Sequence, residues 1–134
     1  MFFFLFSLNL ICSSIYSLDA ETINLTNIRT SYKTGTQRIV LDITGENEPA
    51  YYLKKETDSL YLTIEANIPM DKVFSFKKIL ENTNNIKSIQ FLRLPEEGES
   101  TLIINLKGKT SEEIMSLPNP SRVVLDINKE VTGD

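Results

Sequence analysis

Two carboxylates, Asp42 and Asp126, are the residues best placed to do chemistry in this chain, because a carboxylate pair can divide acid and base roles without help from imidazole. No histidine is present, which excludes Ser-His-Asp and Cys-His catalysis and any typical zinc site with imidazole ligands. Both aspartates occupy corresponding places on strand-like segments, with Arg38 and Arg122 close by in sequence, the pattern of solvated cross-strand charge pairs rather than of a reacting dyad. The five glycines, at 35, 45, 98, 108 and 133, stand singly, so no phosphate-cradling loop is built. Glu96-Glu97-Gly98-Glu99 lacks the alternating ligands of a calcium loop and reads as a solvated hairpin tip. The sequon Asn24-Leu25-Thr26 reads as chance. These residues predict neither an enzyme nor a bound cofactor.

The elements that carry these side chains read as strands. Arg38 to Gly45 alternates, with Ile39, Leu41 and Ile43 on one face, Arg38, Asp42 and Thr44 on the other, and a glycine turn at the end. A shift of 63 residues lays Arg38–Gly45 over Thr101–Gly108, and the same shift lays Ser59–Ile64 over Arg122–Ile127. Upstream, Asn27–Tyr32 resembles Ser88–Arg93 at an offset of 61, with two extra residues in the turn from Leu94 to Glu99, an inexpensive place for a length change. The chain is thus two copies of a four-strand unit, about 23–66 and 86–128, with strands expected near 25–32, 37–44, 49–54 and 60–65, then 86–93, 100–107, 112–117 and 122–128. Ser111-Glu112-Glu113-Ile114-Met115 looks locally like a capped helix start, but the repeat makes it a strand. Between the units, residues 68–80 fit a short helix or a crossover, broken by Asn82-Thr83-Asn84-Asn85. Two four-stranded units, each with one apolar face, are expected to bury those faces against each other. The fold class is all-β, a β-sandwich of two symmetric four-stranded sheets.

Composition bounds the setting. At 134 residues, 41% apolar and 24% charged, the chain suits one globular domain, and its net charge of −4 with interleaved signs excludes a nucleic-acid surface. Residues 1–19 read as a signal peptide, opening Met1-Phe2-Phe3-Phe4-Leu5-Phe6, with Ser13, Ser14 and Ser17 ahead of a cleavage site near Ser17 to Ala20. No Lys or Arg precedes the apolar run, so an uncleaved anchor and a start further upstream stay open. Cys12 reads as part of the apolar run rather than as a lipid-attachment site, since Leu10-Ile11 lack the small residues such a site prefers. Cleavage would leave residues 20–134 without cysteine, held together by the core alone. Localisation is expected to be the periplasm or cell envelope of a bacterium, with membrane contact through the N-terminal segment alone.

The doubled layout resembles the AMIN domain, the non-catalytic N-terminal module of many bacterial N-acetylmuramoyl-L-alanine amidases and of type IV pilus secretins. The resemblance covers about residues 23–128. It is carried by Ile28-Arg29, by Arg38-Ile39-Val40-Leu41-Asp42, and by Asn119-Pro120-Ser121-Arg122-Val123-Val124-Leu125-Asp126, which matches the family's Asn-Pro-x-Arg, apolar triplet and Asp. The sequence departs from the pattern at Thr57-Asp58-Ser59, which replaces the first half's Asn-Pro-x-Arg, and at Thr101, where an Arg often opens the strand. The resemblance implies a symmetric sandwich that holds envelope proteins to peptidoglycan, often at the division site; the amidase zinc ligands belong to a separate domain.

Peptidoglycan offers sugar rings to aromatics and peptide carboxylates to forked arginines. The binding candidates are therefore Arg38, Arg122 and Tyr61, expected on outer faces beside Val40, Val124 and Ile103. Arg29, Arg93, Tyr32, Tyr51 and Tyr52 are further candidates, with Tyr51 or Tyr52 turned inward by alternation. The same arginines and aspartates could serve only to pin strand register. Because the first half lacks the matching Arg, the binding surface is expected to be asymmetric and centred on the second unit. The expected partner is peptidoglycan, with envelope or division proteins as further partners. The alternative function is a structural or assembly protein that docks another envelope protein through a sheet face or edge. A carrier of an apolar ligand is a third possibility, which the tightly alternating strands and the filled core they predict argue against.

Overall fold

The computed structural model describes residues 22–131; the expected signal segment, with Cys12 and the Ser17–Ala20 cleavage region, lies outside the described residues. Eight strands follow one another as β1 (Leu25–Lys33), β2 (Thr36–Ile43), β3 (Tyr51–Glu56), β4 (Ser59–Ile64), β5 (Ile86–Leu94), β6 (Glu99–Leu106), β7 (Thr110–Leu117) and β8 (Arg122–Lys129). A 3₁₀ turn at Met70–Lys72 leads into the helix α1 (Val73–Leu80) between β4 and β5, so the linker is helical. Segment 110–117 is a strand despite its helix-like local sequence: pairing along β8, which buries Ile114 partly against the core, outweighs the local preference.

The strands form two four-stranded antiparallel sheets, ordered β1-β2-β8-β7 and β3-β4-β6-β5. This corrects one expectation. The units do not each make a sheet and stack; each sheet takes two strands from each unit, and the central pairs β2–β8 and β4–β6 join one unit to the other. Exchanging the units exchanges the sheets. Even the irregularities repeat, since the register slips between Leu25 and Asn27 in β1 and between Ile86 and Ser88 in β5. The offset is 63 for β2/β6 and β4/β8 but returns to 61 for β3/β7, where Tyr51 opposite Ile64 matches Glu112 opposite Ile127. β3 accordingly ends at Glu56, as β7 ends at Leu117, and the two strands begin at 51 and 110 rather than at 49 and 112.

Alternation places Ile39, Leu41, Ile43, Leu60, Leu62 and Ile64 inside, together with Leu102, Ile104, Leu106, Val123, Leu125 and Ile127, all of them buried. One open side of the sandwich is closed by α1, whose Phe76 and Leu80 are buried and which packs against the edge strands β1 and β5. The opposite side is closed by side chains of β3: Lys55 Nζ donates to Thr110 O (2.6 Å) and reaches Glu112 (3.2 Å), and the Tyr51 hydroxyl lies 3.5 Å from Ile114 O. Tyr51 is therefore the inward residue and Tyr52 the outward one.

Few polar groups are buried; two of them, Gln37 and Asn85, are satisfied together where the linker meets the first sheet, while the buried Asn67 Oδ1 has no partner among the described residues. Gln37, fully buried, donates to Thr30 (3.0 Å) and Thr83 (2.9 Å) and accepts from the Asn85 backbone N–H (2.8 Å), while the Asn85 side chain donates to Gly35 O and Ile127 O. The β1–β2 turn needs only Thr34 and Gly35, both at positive φ (49° and 82°), the two-residue hairpin turn that glycine favours.

Candidate functional site

With the interior filled by aliphatic side chains, chemistry-bearing groups gather on the two outer sheet faces, and exchanging the units compares them residue by residue. On the first sheet, Arg38 stands opposite Asp126 and Asp42 opposite Arg122. The equivalent positions of the second sheet hold Thr101 opposite Thr63 and Asn105 opposite Ser59. The geometry persists while the charge vanishes. Arg38 donates twice to Asp126 (2.8 and 2.9 Å), whereas Thr63 and Thr101 share one hydroxyl hydrogen bond of 2.9 Å and Ser59 donates to Asn105 (2.7 Å). Both departures from the AMIN pattern, at Ser59 and Thr101, therefore fall on one face.

Two arginine–carboxylate pairs match charges across the first sheet. Arg29 forks onto Asp42 (2.9 and 2.8 Å), and Arg38 onto Asp126. The Arg38 hydrogen bond holds the Asp126 carboxyl below the usual carboxylate range, with partial burial opposing and the Arg38 charge assisting; Asp126 in turn raises the Arg38 guanidinium. Arg122 turns away from Asp42, opposite it in register, and donates to the carbonyls of Pro118 (3.3 Å) and Pro120 (2.8 Å), fixing the β7–β8 turn. A row of apolar side chains, Val40, Val124 and Met115, crosses the same face; Met115 is exposed, while Val124 is nearly buried among its neighbours.

Arg93 is not on an outer face. It stands opposite buried Ser100 and donates to Ile68 O (2.7 Å), tying β5 to the segment that leads into α1. All four arginines of the chain thus have partners within it. The eight sequence-derived binding candidates are not brought together: Arg29, Tyr32, Arg38 and Arg122 lie on strands of the first sheet, Arg93 and Tyr51 at inner margins, and Tyr52 and Tyr61 on the outer face of the second sheet. Each outer face draws strands from both units.

The second sheet gathers a different set. Tyr61 opposes Ile103 and Lys54, and the next row reads Tyr52, Thr63, Thr101, Leu92. Tyr52 is 65% exposed and Leu92 51% exposed. Tyr52, Tyr61, Thr63, Thr101 and Leu92 line a shallow depression of about 370 Å³, whose rim holds the Lys54–Glu56 ion pair (2.9 Å). Glu56, by hydrogen bond and charge, raises the Lys54 ammonium. A second depression of about 150 Å³ adjoins it, lined again by Tyr52 and Thr63 and closed by Glu65 and Glu99. Leu92 and Thr63 had no distinguishing signal in the sequence, and Thr101 stood out only as a departure from the AMIN pattern. Tyr52 did: taking Leu53 as the inward residue of β3 turns Tyr52 outward.

Among the described residues, no cluster of three acidic or cysteine side chains is arranged to hold a metal ion, and no helix is long and apolar enough to cross a membrane. No family model and no curated protein matches the chain.

Proposed function

We propose that this protein is a non-catalytic module of the bacterial cell envelope that binds peptidoglycan and positions envelope or cell-wall proteins on it. The observation that carries the reading is the distribution of polar and aromatic side chains: they lie in rows across broad, open sheet faces, the shape suited to an extended polymer, rather than converging in a cleft suited to turnover. The AMIN-like signature at Asn119–Asp126 and the apolar N-terminal run, which suggests export, point the same way. Co-sedimentation of residues 20–134 with purified sacculi tests it. Retention well above that of a heat-denatured control is expected, and no retention would sink the proposal.

The exposed Met115, in line with Val40 and Val124 on the first sheet, favours a second reading, in which that face docks another envelope protein. Crosslinking in cells through a photoreactive residue at position 115 separates the two. Capture of one protein partner without sacculus binding supports docking in place of wall attachment.

A further inference from the structure

The unit exchange leaves the central cross-strand positions charged on one face and uncharged on the other, and that asymmetry bears on which part of the wall polymer is recognised. We infer that the outer face of the second sheet, centred on Tyr52 and Tyr61, binds the glycan strand, a chain of N-acetylated hexosamines, rather than the stem peptides. The inference rests on the peptidoglycan reading and specifies its site.

A stem peptide presents carboxylates, whose recognition calls for uncommitted cations. On the second-sheet face Lys54 is held by Glu56, while on the first sheet Arg29 and Arg38 already hold bidentate carboxylates and Arg122 is spent on backbone carbonyls, so that Lys33, beside Arg38, is left as a cation outside the ion pairs of the described residues, and it lies on the first sheet's face. Trading an internal carboxylate for a ligand carboxylate of the same geometry gains almost nothing. The second-sheet face also ends at Glu65 and Glu99, which repel an anion but accept hydrogen bonds from sugar hydroxyls.

A hexosamine strand meets what this face offers. The C–H faces of sugar rings are apolar and lie flat on aromatic rings, and two tyrosines stand on adjacent strands here, offset diagonally because Tyr52 opposes Thr63 and Tyr61 opposes Lys54. The Thr63 and Thr101 hydroxyls between them can both donate to and accept from hydroxyl and acetamido groups. Since the two depressions share Tyr52 and Thr63, they form one continuous track rather than a pocket for a single ring.

The test measures binding of the folded domain to three probes: sacculi, a soluble β-1,4-linked N-acetylglucosamine oligomer, and a free stem peptide. Binding to sacculi and oligomer but not to the stem peptide is expected. Tyr52→Ala and Tyr61→Ala should each weaken oligomer binding by about tenfold, the loss of one well-buried aromatic contact. The double variant Thr63→Asp/Thr101→Arg, which installs the first sheet's ion pair on the second, should abolish it with the circular dichroism spectrum unchanged. Arg38→Thr/Asp126→Thr, the reverse exchange, should leave it intact. Sacculus retention that survives both tyrosine substitutions but is lost in Arg38→Thr/Asp126→Thr overturns the glycan site and leaves the peptidoglycan reading standing. Oligomer binding without sacculus binding supports the glycan site and overturns that reading. Binding to neither overturns both.

Discussion

Asp126 is the acid whose environment acts most clearly on it, and its consequence for stability can be followed with pH. Arg38 holds its carboxyl below the ordinary range in the folded chain, while in the unfolded chain the group titrates near ~3.9. A depressed folded pKa means that the contribution is fully present above the unfolded pKa and is lost as pH falls through the folded one. Because the Arg38 side chain is 56% exposed, the pair contributes at most about 1 kcal/mol. Asp126→Asn should therefore be less stable than the native chain in urea at pH 7 by up to that amount, with the gap closing as pH falls from the unfolded pKa through the lowered folded one; a gap that is constant with pH would contradict the pairing. The residue types of this network were legible in the sequence, and so was its character as cross-strand charge pairing. Its partners were not. Asp42 takes Arg29 because β1 lies beside β2, while Arg122, opposite Asp42 in register, is drawn off by the carbonyls of its own turn. Such choices depend on side-chain reach and competing acceptors, which strand alternation does not encode.

At the scale of elements, the strands were readable because each keeps strict alternation and each reading was checked by its repeat. That check is why 110–117 came out as a strand against its local helical appearance. The two-residue shifts, β3 starting at 51 rather than 49 and β7 at 110 rather than 112, fall in the strand pair where the offset returned from 63 to 61, and loops do not advertise such changes. The linker helix is a different case. Eight residues are too few for a helix stable by itself, so α1 exists because Phe76 and Leu80 are buried between the two edge strands. Leu80→Ala should cost about 2–5 kcal/mol in urea denaturation, as for a large cavity in a core with no slack. Phe74→Ala, on the same helix but 72% exposed and in contact with solvent and Lys78, should stay within about 0.5 kcal/mol of the native chain. Equal effects of the two would mean that the helix is held by its own propensity and not by closing the sandwich.

For the whole molecule, the repeat established which residues correspond but could not establish how the units connect, because an offset of 63 is the same whether each unit forms its own sheet or the two share both. What decides is the position of the central strands. In each unit only the hairpins β1–β2 and β3–β4, or β5–β6 and β7–β8, pair internally; β2–β8 and β4–β6 hold both sheets together across the units. An isolated unit is then two unpaired hairpins, and a two-stranded hairpin in water is marginal. Sheets built from one unit each would instead leave every half a complete four-stranded sheet. The two arrangements differ in an experiment that divides the chain after residue 81, leaving 22–81 and 82–131. Each fragment alone should lack a cooperative unfolding transition as a monomer, and mixing them in equal amounts should restore the β circular dichroism signal in a 1:1 complex. A homodimer of one fragment would follow the same logic, with the central pairing supplied by a second copy. A monomeric fragment that unfolds cooperatively would show that the hairpins do not need their exchanged partners, and the dependence of both outer faces on both units would fall with it.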